Sequence, residues 1–207
     1  MPATPEDPWS GLTPADLPSL LDEVRIEWWV GGGWALDLWV GRETRGHGDL
    51  DVGCRLCDVV AFVRSLDGWE SYRAEGGRIS PLPRPLASPP RGIWLRRSGR
   101  DAWDIQLMPE EEEAGRWRYR RDRTIERPFS EVIWRHESGL LALRPEVQLL
   151  YKAKDIRPQD QADFDLVLPT LDAAATDWLA EALRKTAPSC LWLDRLPPLA
   201  ADGLGAD

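Results

Sequence analysis

The chain has 207 residues, a formal net charge of −9, 12 tryptophans, three cysteines and no apolar run of the roughly 20 residues needed to cross a bilayer. That length allows one full domain or a domain with a small helical appendage, and the acidic balance argues against extended contact with a nucleic-acid backbone, which draws its affinity from Lys and Arg. Three cysteines exclude a disulfide framework, and the start MPATPEDPWSG has neither a basic region nor a hydrophobic stretch, so a cytoplasmic location is expected.

In chain order, TPADLPSLLDEV predicts a helix over about 14–24, with Thr13 as N-cap, Pro14 at the first helical position and Asp16 in the first turn. IEWWV reads as a buried strand. Gly31, Gly32 and Gly33 follow at once, then WALDLWV, a short amphipathic helix that Gly41 can end in the left-handed conformation. HGDLDVG alternates polar and apolar residues, the pattern of a strand with one buried face, and places Asp49 and Asp51 on the same side. Residues 58–67 predict a helix, with Val59, Val60, Phe62, Val63 and Leu66 as its apolar face. WESYRAEGGRIS and the proline-rich stretch read as strand and loop. IWLRR, SGRD and AWDIQLM form a hairpin, and RWRYRR and EVIWRHESGLLAL add strands. From Pro145 the pattern turns helical, through PEVQLLYKAKD, PQDQADFDLVLPTL and DAAATDWLAEALRKT. The expected organisation is a catalytic domain over 1–144 and a C-terminal helical region over 145–207.

Two carboxylates at i and i+2 on one sheet face repel each other unless a cation lies between them. A bound magnesium removes that penalty and keeps positions open for phosphate oxygens. The glycine turn that opens a helix supplies the other half, because amides at a helix N-terminus favour anions and glycine lets a phosphate approach closely. Arg42, Arg45 and His47 flank the acidic strand. An arginine there can hold a phosphate oxygen bidentately or pack against Glu43 or the aspartates, and His47 can orient an aspartate. Asp37 is a cap or an acceptor contact.

Strand, glycines, short helix and acidic strand, in the run GGGWALDLWVGRETRGHGDLDV, resemble the signature of the nucleotidyltransferase superfamily related to DNA polymerase beta. The resemblance is closest to its small branch of aminoglycoside and lincosamide nucleotidyltransferases, and it spans roughly residues 26–195. It implies an α/β (α+β) nucleotidyltransferase fold, with a mixed sheet flanked by helices and a C-terminal helical region. It also implies transfer of a nucleoside monophosphate, AMP from ATP, to a hydroxyl of a small, cationic, aminoglycoside-like acceptor, with Mg2+ and release of pyrophosphate, as in antibiotic resistance. A third carboxylate on a later strand is expected, and Asp104 in AWDIQLM fits it. The implied metal and catalytic set is therefore Asp49, Asp51 and Asp104, with Asp104 as a base toward the hydroxyl. Two departures stand out: Trp34 occupies a position commonly serine in the superfamily, and Gln159 one often lysine.

The nucleotide contacts expected are Gly32, Gly33, Arg42, Arg45, Lys152 and Lys154. On a helical wheel of PEVQLLYKAK, Lys154 falls in the apolar arc of Val147, Leu150 and Tyr151 and points inward toward Asp160, whereas Lys152 takes the wetter side. A solvated face or a structural ion pair is the alternative for both lysines. The run Glu110 to Glu113 is a solvated loop or the lining of a site for a cationic acceptor. Trp28, Trp29 and Trp34 read as core, and Trp94 and Trp103 as flanks of a pocket. Cys54 and Cys57 form a CxxC without the further ligands a zinc site needs. Two other functions remain open: a toxin-like transferase acting on RNA or protein through RWRYRRDR, and a nucleotide-binding module without catalysis.

Overall fold

A computed structural model describes residues 3–83, 85–86 and 88–198, which fall into two compact units, Met1–Leu143 and Arg144–Asp207. The first unit opens with a capping exchange. The Thr13 N–H and hydroxyl both donate to Asp16 Oδ2, at 2.8 and 2.9 Å. A 3-10 turn over Pro14–Asp16 runs into helix α1, Leu17–Leu20. The helix is shorter than its capping signals suggest. Leu17, Leu21 and Val24 are all buried, and the Val24 N–H closes on the Leu21 carbonyl in a turn, so burial sets the course of the chain after one helical turn.

Strand β1, Trp28–Val30, leads through Gly31 into helix α2, Gly32–Val40, which Gly41 ends at φ 80°. Strand β2, Asp51–Arg55, then precedes helix α3, Val59–Ser65, whose Val59, Phe62 and Val63 are buried. Strands β3 (Trp69–Glu75), β4 (Arg78–Pro81), β5 (Ile93–Arg97) and β6 (Ile105–Glu113) follow. After them come β7 (Arg116–Arg118), β8 (Glu126–Pro128), β9 (Ile133–Arg135) and β10 (Leu141–Leu143). Residues 84 and 87 of the proline-rich stretch lie outside the described residues.

The strands pair in the order β4-β3-β5-β6-β2-β1-β10-β9, with β7 on β6 and β8 on β7. The sheet is mixed, since β2 runs parallel to β6 and β1 parallel to β10 while the other pairs are antiparallel. Partners across a ladder share a face. One face is apolar core: Val52, Cys54, Ile93, Leu95, Ile105 and Leu107 have no exposed surface. The opposite face carries a row of polar and aromatic residues, Asp51, Gln106, Trp94 and Tyr72, taken strand by strand from β2 through β6 and β5 to β3.

The second unit holds α4 (Pro145–Lys152), α5 (Pro158–Val167) and α6 (Ala173–Thr186). Asp172 caps α6 by accepting from the Ala175 N–H at 2.8 Å, and Arg184 and Lys185 lie in the last turn, where the helix dipole favours cations. Phe164 and Trp192 stack nearly parallel, with ring centroids 4.3 Å apart, and the Trp192 indole donates to the Gln161 side chain at 2.8 Å. Among the described residues, no helix is long and apolar enough to cross a membrane.

Candidate active site

The N-terminus of α2 meets the start of β2 at van der Waals distance. The Gly31 N–H donates to the Asp51 carbonyl at 2.9 Å, and Gly32 adopts φ 63° directly beneath the Asp51 carboxylate. A Cβ on Gly32 would stand 2.1 Å from Asp51 Oδ2. One on Gly33 would stand 2.4 Å from His47 Cε1 and 2.5 Å from Arg45 Nη2. The glycines are thus required by close approach on both sides: Asp51 covers one flank of the helix opening, and Arg45 with His47 covers the other. Trp34, the departure from serine, stacks obliquely on the His47 ring with centroids 4.3 Å apart.

His47 pairs with an aspartate, and that aspartate is Asp37 of the helix and not one of the acidic strand. Its Nε2 lies 2.5 Å from Asp37 Oδ2 on α2, and Asp37 also accepts from the Thr44 hydroxyl at 2.5 Å and the Thr44 N–H at 3.2 Å. This buried brace holds the 42–50 loop to α2 and so fixes where β2 begins. No local pattern selects Asp37 as the partner, because the contact joins the last turn of α2 to the irregular loop after it. Arg42 comes directly after the helix C-cap Gly41 and is exposed. Its backbone is a helix length, about 13 Å, from the glycine turn, so of the two arginines expected to contact phosphate only Arg45 stands at that turn.

The alternation expected for HGDLDVG holds only in part. β2 starts at Asp51; Leu50 is buried and accepts the Gln106 N–H at 2.9 Å, while Asp49 is exposed and outside the ladder. Asp104 departs further. Trp103 takes the polar face, edge-on to Trp94 and Tyr72, both at 5.3 Å, so the alternation breaks immediately before β6. Asp104 turns instead to Arg97, accepting from its Nη2 at 2.8 Å, its Nε at 3.1 Å and its backbone N–H at 2.8 Å. Burial pushes the Asp104 carboxyl up, but the Arg97 bonds prevail and hold it below the usual carboxylate range. The residue that the ladder sets beside Asp51 on β6 is Gln106. Among the described residues, no group of three or more His, Cys, Asp or Glu is placed to hold a metal ion. Asp51 lies against the glycine turn, Asp49 is exposed two residues before it, and Asp104 is held by Arg97.

The two lysines exchange their expected places. Lys152 is the inward one, 2.7 Å from Asp160 and 2.9 Å from Asp163, whereas the Lys154 side chain is 63% exposed and 3.6 Å from Asp155. The wheel fails at Lys154 because α4 ends at Lys152 and Ala153 caps it, so helical periodicity does not extend that far. Burial raises the Asp160 carboxyl, yet Arg157 and Lys152 together bring it down to about 2. Gln159 is exposed in the first turn of α5.

The Glu110 to Glu113 run is no loop. It completes β6, with Glu110 accepting from the Trp117 indole at 2.8 Å and Glu111 paired with Arg91 and Arg123. Arg116 and Arg118 pair with Glu126 and Glu113, which neutralises much of the basic strip considered for RNA. Cys54 lies inside β2, where burial pushes its thiol up to about 12, and Cys57 is exposed in the turn that follows. Trp29 is core, as is Trp103; Trp94 lines a cavity of about 300 Å3 together with Arg73, Glu75, Arg91, Gln106, Met108 and Arg120. Of the cavity's residues, the sequence points to Trp94, and to Arg120 only as part of RWRYRRDR. The signal was the alternation of IWLRR against DIQLM, which places Trp94 and Gln106 on one face once the hairpin is paired.

The resemblance read from the sequence holds in comparison with known proteins, and the fold is that of nucleotidyltransferases. Residues 15–69 match the family described as aminoglycoside-2''-adenylyltransferase. A 2''-aminoglycoside nucleotidyltransferase of Klebsiella pneumoniae and one of Escherichia coli are each 44% identical to this chain over 92 residues, 43% of this chain and 50% of theirs. The chain thus spans about half the length of the curated relatives it matches. Among solved structures, the lincosamide antibiotic adenylyltransferase LnuA, bound to lincomycin, aligns with a TM-score of 0.55 at 16% identity, over 78% of this chain and all of that one. ANT(2'')-Ia in complex with adenylyl-2''-tobramycin aligns with a TM-score of 0.53 at 17% identity, over 84% of this chain and 96% of that one.

Proposed function

We propose that the chain is a nucleotidyltransferase that moves AMP from ATP to a hydroxyl of a small acceptor in the cytoplasm. Aminoglycoside and lincosamide antibiotics form the first panel to try, because the relatives are named for them. The observation that carries this reading is the Asp51 carboxylate set against the glycine turn that opens α2. A helix N-terminus favours a phosphate, yet a carboxylate 2.1 Å from a would-be Cβ at the same turn repels one, and a divalent cation between them resolves the conflict. The residues fit such an ion as a pair: Asp51 and the exposed Asp49 would hold Mg2+, with phosphate oxygens completing its shell. When bound, the ion supplies charge neutralisation at the α-phosphate. Arg45, across the turn from Asp51, would hold a phosphate oxygen, and Gly32 and Gly33 leave room for its approach.

In the step itself the acceptor oxygen forms a bond to the α-phosphorus. The bond from that phosphorus to the oxygen bridging α and β breaks, and its electron pair leaves with pyrophosphate. The hydroxyl proton passes to a base. Arg97 engages both Asp104 oxygens and lowers its basicity, so this reading assigns Asp104 first to holding the β5–β6 hairpin.

Pyrophosphate release from ATP and Mg2+ across the antibiotic panel tests the proposal. Release that depends on one acceptor and falls at least about a hundredfold in Asp51→Asn supports it. Absence of both turnover and Mg2+-dependent ATP binding sinks it. Loss of turnover in Asp104→Asn as deep as in Asp51→Asn, with the fold intact, would return Asp104 to the catalytic set.

A further inference from the structure

His47 is gripped on three sides. Its side chain is only 2% exposed, its Nε2 lies 2.5 Å from Asp37 Oδ2, and the Trp34 ring covers its face. The third side is the glycine turn. A Cβ on Gly33 would stand 2.5 Å from His47 Nδ1 and also 2.5 Å from Arg45 Nη2. His47 Nδ1 and the Arg45 guanidinium therefore share one small space at the opening of α2, the end of a helix that favours a phosphate.

The hydrogen bonds decide what His47 can do there. Asp37 accepts from the Thr44 hydroxyl at 2.5 Å and from the Thr44 N–H at 3.2 Å, and a carboxylate has no proton to give. Nε2 therefore carries the proton of the neutral ring, and the nitrogen left at the glycine turn, Nδ1, is an acceptor. A lone pair repels a phosphate oxygen and receives a guanidinium N–H. His47 is thus suited to hold Arg45, and Arg45 to hold phosphate. The backbone supports the same division. Gly46 and Gly48 bring no side chains, so between Arg45 and Asp49 the loop is fastened through His47. Thr44 and His47 lie on either side of Arg45 in sequence, and both end on the one Asp37 carboxylate.

We propose that Asp37 and His47 are positioning residues for the nucleotide: the pair seats the 44–48 loop against α2 and turns the Arg45 guanidinium toward a triphosphate at the glycine turn. The inference rests on the nucleotidyl-transfer reading and names the residues that make its phosphate site ready before ATP arrives. Trp34 keeps the ring in place from its face and does not itself meet the phosphates.

Calorimetry of ATP with Mg2+ on the full chain tests this in a double-mutant cycle of His47→Leu and Arg45→Ala, with a urea melt on every variant. Each single change should weaken binding by about tenfold, and the double variant should bind within about twofold of Arg45→Ala, because the histidine acts through the arginine. His47→Gln offers one donor and one acceptor at the end of its side chain, as the neutral ring does, and should stay within about threefold of wild type. Additive losses would make His47 a phosphate ligand in its own right, and unchanged binding in a folded His47→Leu would make the brace purely structural. Either result overturns the proposal. Thr44→Val takes the place of His47→Leu in the cycle if that variant does not fold. It removes one hydroxyl bond to Asp37, and its expected loss of about threefold should vanish in the Arg45→Ala background; a loss that persists there overturns the proposal equally. If wild type binds no ATP with Mg2+, the nucleotidyl-transfer reading fails first and the positioning role falls with it.

Discussion

The two flanks of Asp51 are built by different means. On the β1–α2 side, position is set by residues adjacent in sequence: glycines that no Cβ could replace, a left-handed C-cap at Gly41, and an acidic strand that returns within twenty residues. On the β6–β5 side, position is set by pairing between strands and by a break in alternation at Trp103, which turns Asp104 away to Arg97. A short motif can specify the first flank. Only the assembled sheet specifies the second.

The largest effect that sharpens this contrast belongs to Gly32. Gly32→Ala forces a Cβ against the Asp51 carboxylate and puts alanine in a left-handed conformation, which costs about 1–2 kcal/mol of stability. Turnover should fall by at least about a hundredfold, matching Asp51→Asn, because the carboxylate must leave the glycine turn. Pyrophosphate release and a urea melt on the same sample separate the two consequences. A Gly32→Ala enzyme with near wild-type turnover would break the claim that the close approach organises the site.

Legibility follows the same division. The glycine turn, its helix and the three C-terminal helices were readable because their signals are local: caps, periodicity and glycine. Asp104 was assigned from the resemblance alone, and its bonds to Arg97 were not readable because they depend on the large Trp103 side chain taking the aromatic face. The choice of Asp37 as the partner of His47, and the meeting of Arg120 with Arg91 at one cavity, were not readable, since each depends on segments that meet only after folding. The glutamate run was misread because its charge is answered by Arg91, Arg123 and the Trp117 indole, partners that composition does not display.

Second in size is Lys152→Met. Lys152 bridges Asp160 and Asp163, and removing the shared cation should cost roughly 3 kcal/mol, read as a lower urea midpoint at unchanged slope. Asp104→Asn follows at about 1–2 kcal/mol, since Arg97 is partly exposed and regains water. Both pairs make stability depend on acid. The folded-state carboxyls of Asp104 and Asp160 titrate below 3.8, with Asp160 at about 2, so their contribution is complete above about pH 5 and is lost as pH falls toward 2. Asp160→Asn should therefore flatten the stability profile between about pH 5 and 2, and a profile as steep as wild type would contradict the pairing.

Lys154→Met should have the smallest effect and is the sharpest check on the exchange of the two lysines. Its side chain is 63% exposed and 3.6 Å from a still more exposed Asp155, a geometry that contributes within about 0.5 kcal/mol. Stability should be unchanged within error. The KM for ATP decides the remaining question, because an exposed lysine that contacts the triphosphate raises that constant on removal without touching the melt. With Lys152 committed to two buried aspartates, Lys154 is the exposed one of the pair. A rise in KM at constant stability would therefore identify the lysine that the wheel selected for the wrong reason.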